Sequence, residues 1–529
     1  MLKNIKNITI VGGGSAGWMT AAMLVKMFPN MNIVTIESPD VPIVGVGEST
    51  LLAMKQYADI LGIDDKVFMP AADASYKLSI KFTDFYEKDS GSFHYPFGAP
   101  YVEGTMHGLR DWYLKKATNP ELPSADMARS YFPSMALIEN NKFSDNKDNA
   151  FENFTVKQCA TYHFDAVKFA NWLRENYCKP KGVVHIPATV THIEIGDAGV
   201  EYLELSNGNR HTSDLYIDCT GFKSLLLGDA LKEEFISYEH ILPNNRAWAT
   251  RVAYKDKEKE LEPFTSCTAI DNGWIWNIPL WSRIGTGYVY SDKYVTPETA
   301  LEQFKQYLMS DKVVCPKSRE EVDALEYRDI PMRVGIHKRL FVKNVVAIGL
   351  SAGFIEPLES NGLFSVNVFL EKLVKILSTG SINQYDKDMF NAACRNVFKN
   401  FSEFVAMHYA LSSRNDTPYW EDNTNREYCN DIVELAPASN QVGFFDFYMK
   451  RMINPVLNPG DGAIWISTGM NRPIVDVMEE AKQNFYTPVP TKQFYAQSFE
   501  TMDINKTKWT TAAEKELSLH DYLKTNIFK

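Results

Sequence analysis

Residues with clear chemical meaning stand near the start of the chain, where Gly12-Gly13-Gly14-Ser15-Ala16-Gly17 forms a G-x-G-x-x-G run and Glu37 follows twenty residues after Gly17. The preceding Ile5 to Val11 is apolar and β-branched, which reads as a buried parallel strand. Trp18 to Val25 reads as a helix, and Ile33 to Ile36 as a second strand that ends on Glu37. Each position in this order has a use. Gly12 permits the tight turn, Gly14 lets a pyrophosphate approach the backbone, and Gly17 lets helix pack on strand. The helix start at Ser15 and Ala16 offers amides and a positive dipole to phosphate, and Glu37 is placed to accept from a ribose hydroxyl. The constellation predicts dinucleotide binding; the bland alternative is a glycine-rich loop used only for close packing.

Later segments favour FAD over NAD. After Thr189-Val190 and a strand pair either side of Ser206-Asn207-Gly208-Asn209, the run Ser213 to Phe222 ends a strand on Thr220-Gly221. It looks like the return strand of FAD-binding folds of the glutathione-reductase type. A further strand, Asn344 to Ala352, ends beside Gly349-Leu350 near a helix whose amides face a flavin ring. No second G-x-G-x-x-G marks a nicotinamide site, so reduced flavin is expected from elsewhere, through a transient encounter.

The body that must position these groups is large, with 529 residues. At 45% hydrophobic, 13% aromatic and 23% charged it buries a core and is not disordered. A net charge of −11 argues against nucleic acid or an anionic membrane surface as partner. Seven scattered cysteines with no C-x-x-C exclude a disulfide framework and a zinc ribbon; reduced thiols in a cytoplasmic protein are expected, with no metal site. No signal peptide and no uncharged apolar run long enough to span a bilayer is read. Thr296 is read as an N-cap before Pro297, with a helix to Met309. Helices are also expected over Asn361–Leu377 and Tyr385–His408, the latter amphipathic through Phe390, Val397, Phe398, Phe401, Phe404 and Val405. Beyond about 400 the aromatic pairs Tyr419-Trp420 and Phe444-Phe445, with Trp465, read as a helical cap, and the stretches 458–462 and 488–490 as turn and loop. The expected division is a flavin and chemistry module over 1–400, with a β-rich substrate region at about 80–160 and 235–335, and a mainly helical cap over 401–529.

Four segments together resemble the flavin-dependent halogenases of the tryptophan halogenase family: Gly12 to Trp18, Gly45-Val46-Gly47-Glu48-Ser49-Thr50, Gly273-Trp274-Ile275-Trp276-Asn277-Ile278-Pro279, and Glu356-Pro357-Leu358-Glu359-Ser360-Asn361-Gly362. The resemblance runs from residue 1 to about 420, and phage-encoded marine members are the specific relatives it points to. It implies an α/β fold with a Rossmann-type FAD domain, a mixed β-sheet substrate region and the helical cap. It also implies an oxidoreductase in which reduced FAD, oxygen and a halide (chloride, bromide or iodide) give hypohalous acid, which halogenates an electron-rich arene of the indole or phenol type. A separate NAD(P)H-dependent flavin reductase is the implied source of FADH2, and a homo-oligomer is left open. The alternatives are an aromatic hydroxylase on the same flavin scaffold and a non-catalytic flavoprotein.

By the same resemblance, Val190, Leu350 and Leu363 join the cofactor site. The amides of Asn361 and Gly362 hold the halide; the family usually has threonine at position 361, and asparagine tolerates turn conformations that threonine resists. Trp274 and Trp276 wall flavin from substrate; read alone, they are two same-face core aromatics on a strand. A lysine activates the oxidant, as an ammonium that hydrogen-bonds hypohalous acid or as an amine that takes the halogen. Lys77 and Lys81 are four apart and spacing does not separate them; the family register chooses Lys77. Glu359 is the anion where positive charge develops on the ring, its plain alternative being a helix-start acid. Tryptophan-specific members set an H-x-F segment against the indole. Here Phe97 is in register but His94 is shifted by one, which makes tryptophan the less expected arene.

Overall fold

The structure is a computed structural model that describes residues 2–41, 45, 47–426, 459–471 and 492–529. Its cofactor sheet has six strands in the order Val184–Pro187, Asn32–Glu37, Asn7–Val11, Leu215–Asp218, Val345–Ala347, Phe341–Val342. The first five are parallel and the last antiparallel. Ile8, Ile10, Ile217 and Val346 are fully buried, as expected for a parallel sheet covered on both faces. Helix Ser15–Met27 follows strand Asn7–Val11 after the glycine turn, the return strand pairs with Asn7–Val11, and the strand near 345 pairs with the return strand in turn. The latter ends in a short 3-10 turn, Gly349–Ser351.

A second, mainly antiparallel sheet has seven strands: Arg328–Pro331, Arg246–Val252, Ile284–Tyr290, Gly273–Pro279, Phe264–Ile270, Ser79–Thr83, Ser92–Pro96. Helix Gly362–Leu377 follows the 3-10 turn Pro357–Glu359, and helix Gln384–Ala410 is closed at its start by a reciprocal cap between Asn383 and Asp386. The latter buries Phe390, Phe398, Phe401, Phe404 and Val405 on one face. Thr296 caps helix Pro297–Met309 as its sequence implies.

Three expectations need correction. The 80–160 region is β-rich only to Pro96; helices Arg110–Thr118, Asp126–Tyr131 and Ser134–Glu139 follow. There the buried residues recur at helical spacing, Met127 with Tyr131 and Met135 with Ile138. Residues 459–462 are not a turn but the start of helix Pro459–Gly469. Proline suits a first helical position, and the glycines serve close packing: a Cβ on Gly462 would lie 2.9 Å from the Phe404 ring, and one on Gly469 would lie 2.1 Å from Phe93. A boundary at 400 cuts helix Gln384–Ala410, which runs unbroken through it. The cap is also tied back to the preceding module: helix Lys492–Ala513 packs on the three helices of 110–139, with Lys115 2.7 Å from Asp503 and Lys506 2.7 Å from Asp126. Asn458, Phe444-Phe445 and 488–490 lie outside the described residues. Among those described, no helix is long and apolar enough to cross a membrane.

Candidate active site

The glycine run is shaped for a dinucleotide. Gly12 has φ +115, and a Cβ there would stand 2.2 Å from the Cys219 carbonyl oxygen; one on Gly17 would stand 1.9 Å from the Gly12 carbonyl oxygen. These two glycines are therefore required by the fold. Gly14 differs: it lies at φ −74, ψ −174 at the cap of helix Ser15–Met27, and nothing lies within 4 Å of a Cβ there. Open space at a helix N-terminus with unpaired amides is what a pyrophosphate needs. Ser15 and Ala16 begin that helix, and the Glu37 side chain folds over Gly13. One Glu37 carboxylate oxygen, Oε2, is already engaged by Arg174 at 3.1 Å and His185 at 3.0 Å. Val190 starts a strand beyond the sheet edge, Leu350 lies in the 3-10 turn after Val345–Ala347, and Leu363 is the second residue of helix Gly362–Leu377. The residues present fit FAD at this cradle.

Lys77 ends the short strand Ser75–Lys77 and is fully buried. Its Nζ donates to the Thr50 carbonyl at 3.0 Å and to Ser360 Oγ at 2.8 Å, and lies 4.9 Å from the centre of the Phe97 ring. Burial pushes its pKa down to about 7, against the pull of Cys267 and Glu359, which raise it. Ser360 Oγ lies 2.9 Å from Ser49 Oγ, and Thr265 Oγ1 links that chain to His163 Nε2 at 2.8 Å. Burial, then the charge of Lys77, keeps His163 well below its ordinary value and neutral.

The fold separates the two lysines that spacing left equivalent. Strand Ser75–Lys77 pairs with Thr161–Phe164, whereas Ser79–Thr83 belongs to the seven-stranded sheet, so the chain changes sheets at Leu78. Within the larger sheet side chains alternate faces. Phe82 is opposite Phe93 and Cys267, Cys267 is opposite Trp276, and the Phe82 ring lies 4.7 Å from His408; this face looks at the candidate site. Lys81 is opposite His94 and Ser266, on the other face. The same parity explains the displaced histidine, since a one-residue shift on a strand reverses the face. Tyr95, two residues before Phe97, takes the place on the site's face, with its ring 6.3 Å from those of both Phe97 and Phe404. A period of two read backward from Phe97 would have found it.

Glu359 closes the 3-10 turn, is buried, and lies with Oε1 2.9 Å from His408 Nε2. Ser360 is the left-handed residue of the turn, φ +59, while Asn361 has φ −82, which any residue adopts. The turn therefore does not need asparagine for its backbone, contrary to the sequence expectation. Asn361 and Gly362 precede the first intrahelical bond, from the Ser365 amide to the Asn361 carbonyl, so their amides are among the unpaired donors at a positive helix end. Trp274 and Trp276 share one face of their strand, rings 6.2 Å apart. Trp274 Nε1 donates at 2.9 Å to Glu356 Oε2, which also accepts from Asn244 and Tyr409 at 2.7 and 2.9 Å. Burial raises the Glu356 pKa against these three donors. Trp276 Nε1 is buried with no partner among the described residues, a state that costs about 1–3 kcal/mol, so an acceptor or π-face from an incoming ring is favoured there. Thr50, Ser360 and Glu356 stood in the motif segments without a role, and His408 had none either; their partners are distant along the chain, so no local pattern tells what each one touches.

Residues 7–455 match the tryptophan halogenase family. The chain is 34% identical over 449 residues to tryptophan 6-halogenase SttH of Streptomyces toxytricini, covering 82% of this chain and 83% of that one. It is 32% identical over 449 residues to tryptophan 7-halogenase RebH of Lentzea aerocolonigenes, covering 82% of each. Among solved structures, VirX1 in its apo form superposes with a TM-score of 0.89 at 34% identity, over 99% of this chain and 100% of that one. The SttH crystal structure gives 0.83 at 30%, over 98% and 99%.

Proposed function

Because this chain belongs to the tryptophan halogenase family, and is a flavin-dependent halogenase with the family's Rossmann-type fold, we propose that Lys77 delivers hypohalous acid to an electron-rich arene of the indole or phenol type. The observation that carries this reading is the hydrogen bond from buried Lys77 to Ser360, one residue before the halide-binding amides, with Phe97 against the same ammonium. FAD, supplied reduced by a separate NAD(P)H-dependent flavin reductase in the cytoplasm, provides the oxidising chemistry with oxygen and halide. Gly12, Gly14, Ser15, Ala16 and Gly17 cradle its pyrophosphate, Glu37 the ribose, and Val190, Leu350 and Leu363 pack the remainder.

The protein's own work begins with the halide, held by the amides of Asn361 and Gly362 at the helix start. Trp274, fixed by Glu356, and Trp276 form the wall between oxidation and substrate. Lys77 uses two N–H groups on Thr50 and Ser360 and keeps the third for the oxygen of hypohalous acid. As the ring's electron pair takes the halogen, that oxygen accepts the Lys77 proton and leaves as water. Glu359, oriented by His408, stands as the anion beside the ring cation, and the ring proton then returns to the lysine amine. The face-reversed His94 supports an arene other than one seated by an H-x-F segment, with Tyr95, Phe97 and Phe404 as its walls. Mass spectrometry of an arene panel incubated with enzyme, flavin reductase, NADH, FAD and each halide in turn tests the reading. A halogenated product is expected; an oxygenated product formed without halide would favour the hydroxylase.

The halide site carries its own prediction. Threonine fits the backbone at Asn361, so Asn361→Thr is expected to remain active. It should shift the bromide-to-chloride ratio of kcat/KM by about two- to fivefold, the size of a change in local helix-end electrostatics. Bromide and iodide, more weakly hydrated and easier to oxidise, should be used at least as readily as chloride by the parent enzyme. Paired-halide competition measures both; a strict chloride preference untouched by the substitution would remove this segment from halide choice.

A further inference from the structure

Behind the seven-stranded sheet, on the face turned away from Lys77, lies a cavity of about 360 Å³. That size suits a small molecule. Lys81, His94 and Phe264 line it from the sheet, Glu262 from the connection leading into strand Phe264–Ile270, and Arg129 and Asn141 from the helical segment opposite. Strand parity isolates it from the halogenation site: Lys81 and His94 point here, whereas Phe82, Cys267 and Trp276 point to the other side.

The lining is charged, of both signs, and incompletely paired. Among the described residues, Lys81 and Glu262 have no ion-pair partner. Lys81 Nζ stands 5.5 Å from the centre of the Phe264 ring. Arg129 gives its Nε to Glu139, also in the lining, at 2.7 Å, a bond that does not use its terminal N–H groups. Asn141 donates from Nδ2 to the Glu258 carbonyl at 2.9 Å, while its buried Oδ1 has no partner. Burial pushes Glu262 up to about 7, with Lys81 pulling it down and Glu260 raising it further, so a cation beside it would be welcome. His94 adds no charge: burial, then Lys81, lowers it to about 3, and its Nδ1 lies 3.0 Å from Ser79 Oγ. Met135 and Ile138 complete an apolar wall with Phe264.

We propose that this cavity is a second ligand site, for a small zwitterion of the α-amino-acid type, with its carboxylate against Lys81 and Arg129 and its ammonium against Glu262 and Asn141. The apolar wall takes the side chain, and Lys81, which the halogenation chemistry does not use, gains a role. Calorimetric titration of the full-length, FAD-loaded protein with L-leucine, L-leucinamide and 4-methylpentanoate tests it. Leucine should bind saturably, and loss of either of its charges should weaken binding about tenfold or more. Lys81→Met should weaken leucine and 4-methylpentanoate but leave leucinamide unchanged; Glu262→Gln should weaken leucine and leucinamide but leave 4-methylpentanoate unchanged. That crossed pattern cannot come from a general loss of folding. Lys77→Ala should leave leucine affinity intact. Absence of saturable binding up to about 10 mM, or a leucine affinity indifferent to both cavity substitutions, would overturn the proposal.

Discussion

Lys77→Ala is expected to stop halogen transfer to the arene by about 10²–10⁴-fold, the range for loss of a positioned proton donor, while halide-dependent flavin oxidation continues. The separation follows from position. Lys77 touches Thr50, Ser360 and the Phe97 ring, and none of the glycine cradle. Product formed per flavin oxidised is the measurement. A ratio unchanged from wild type would take Lys77 out of the reaction and reopen the choice of lysine. The same ratio carries the pH prediction. Burial holds Lys77 near 7, below its ordinary value, with Cys267 and Glu359 opposing and His163 neutral beside it. The ammonium is thus the major form below about pH 7 and is lost above it. If the ammonium is the working form, product per flavin falls as pH rises from 6 to 8; a ratio that rises instead identifies the amine as the group that takes the halogen.

Gly14→Val should abolish useful FAD binding without harming the fold. The backbone there is extended and a Cβ meets nothing, so valine is accommodated in the cofactor-free protein. The same side chain occupies the space through which pyrophosphate reaches the amides. Losing two charge-assisted hydrogen bonds of about 1.5–3 kcal/mol each corresponds to roughly 10²–10⁴-fold in affinity. The melting temperature without FAD should stay near wild type, and the rise on adding FAD should vanish. Gly12→Ala supplies the contrast: φ +115 and a carbonyl 2.2 Å from the new Cβ should cost folded protein before any binding is measured. Equal FAD affinity in Gly14→Val and wild type would remove the cradle from that position.

The difference between those two glycines marks where sequence reading ends. Strand, glycine run, helix and acid are contiguous, and contiguous residues obey local rules: a positive φ needs glycine, and β-branched runs form buried strands. The strand, glycine turn and helix, the return strand, the Thr296 cap and the amphipathic helix near 390 were therefore legible in the order of residues alone. The two same-face tryptophans were legible for the same reason, a period of two.

What local rules do not contain is which face a strand turns to the chemistry and which distant group arrives there. Lys77 and Lys81 are equivalent by spacing. Only the change of sheet at Leu78 puts one beside Ser360 and the other behind the sheet. His94 and Tyr95 are neighbours in sequence, but strand parity assigns them to opposite faces. His408 reaches Glu359 because a helix of 27 residues folds back over the site, and Glu356, just before the turn Pro357–Glu359, meets Trp274 of the central strand of the seven-stranded sheet. By itself the sequence determined the strand, glycine turn and helix at the start of the chain and the elements that carry the motif residues. The tertiary structure decided which side chains share a dry space, because burial and pairing of charge depend on neighbours tens to hundreds of residues away.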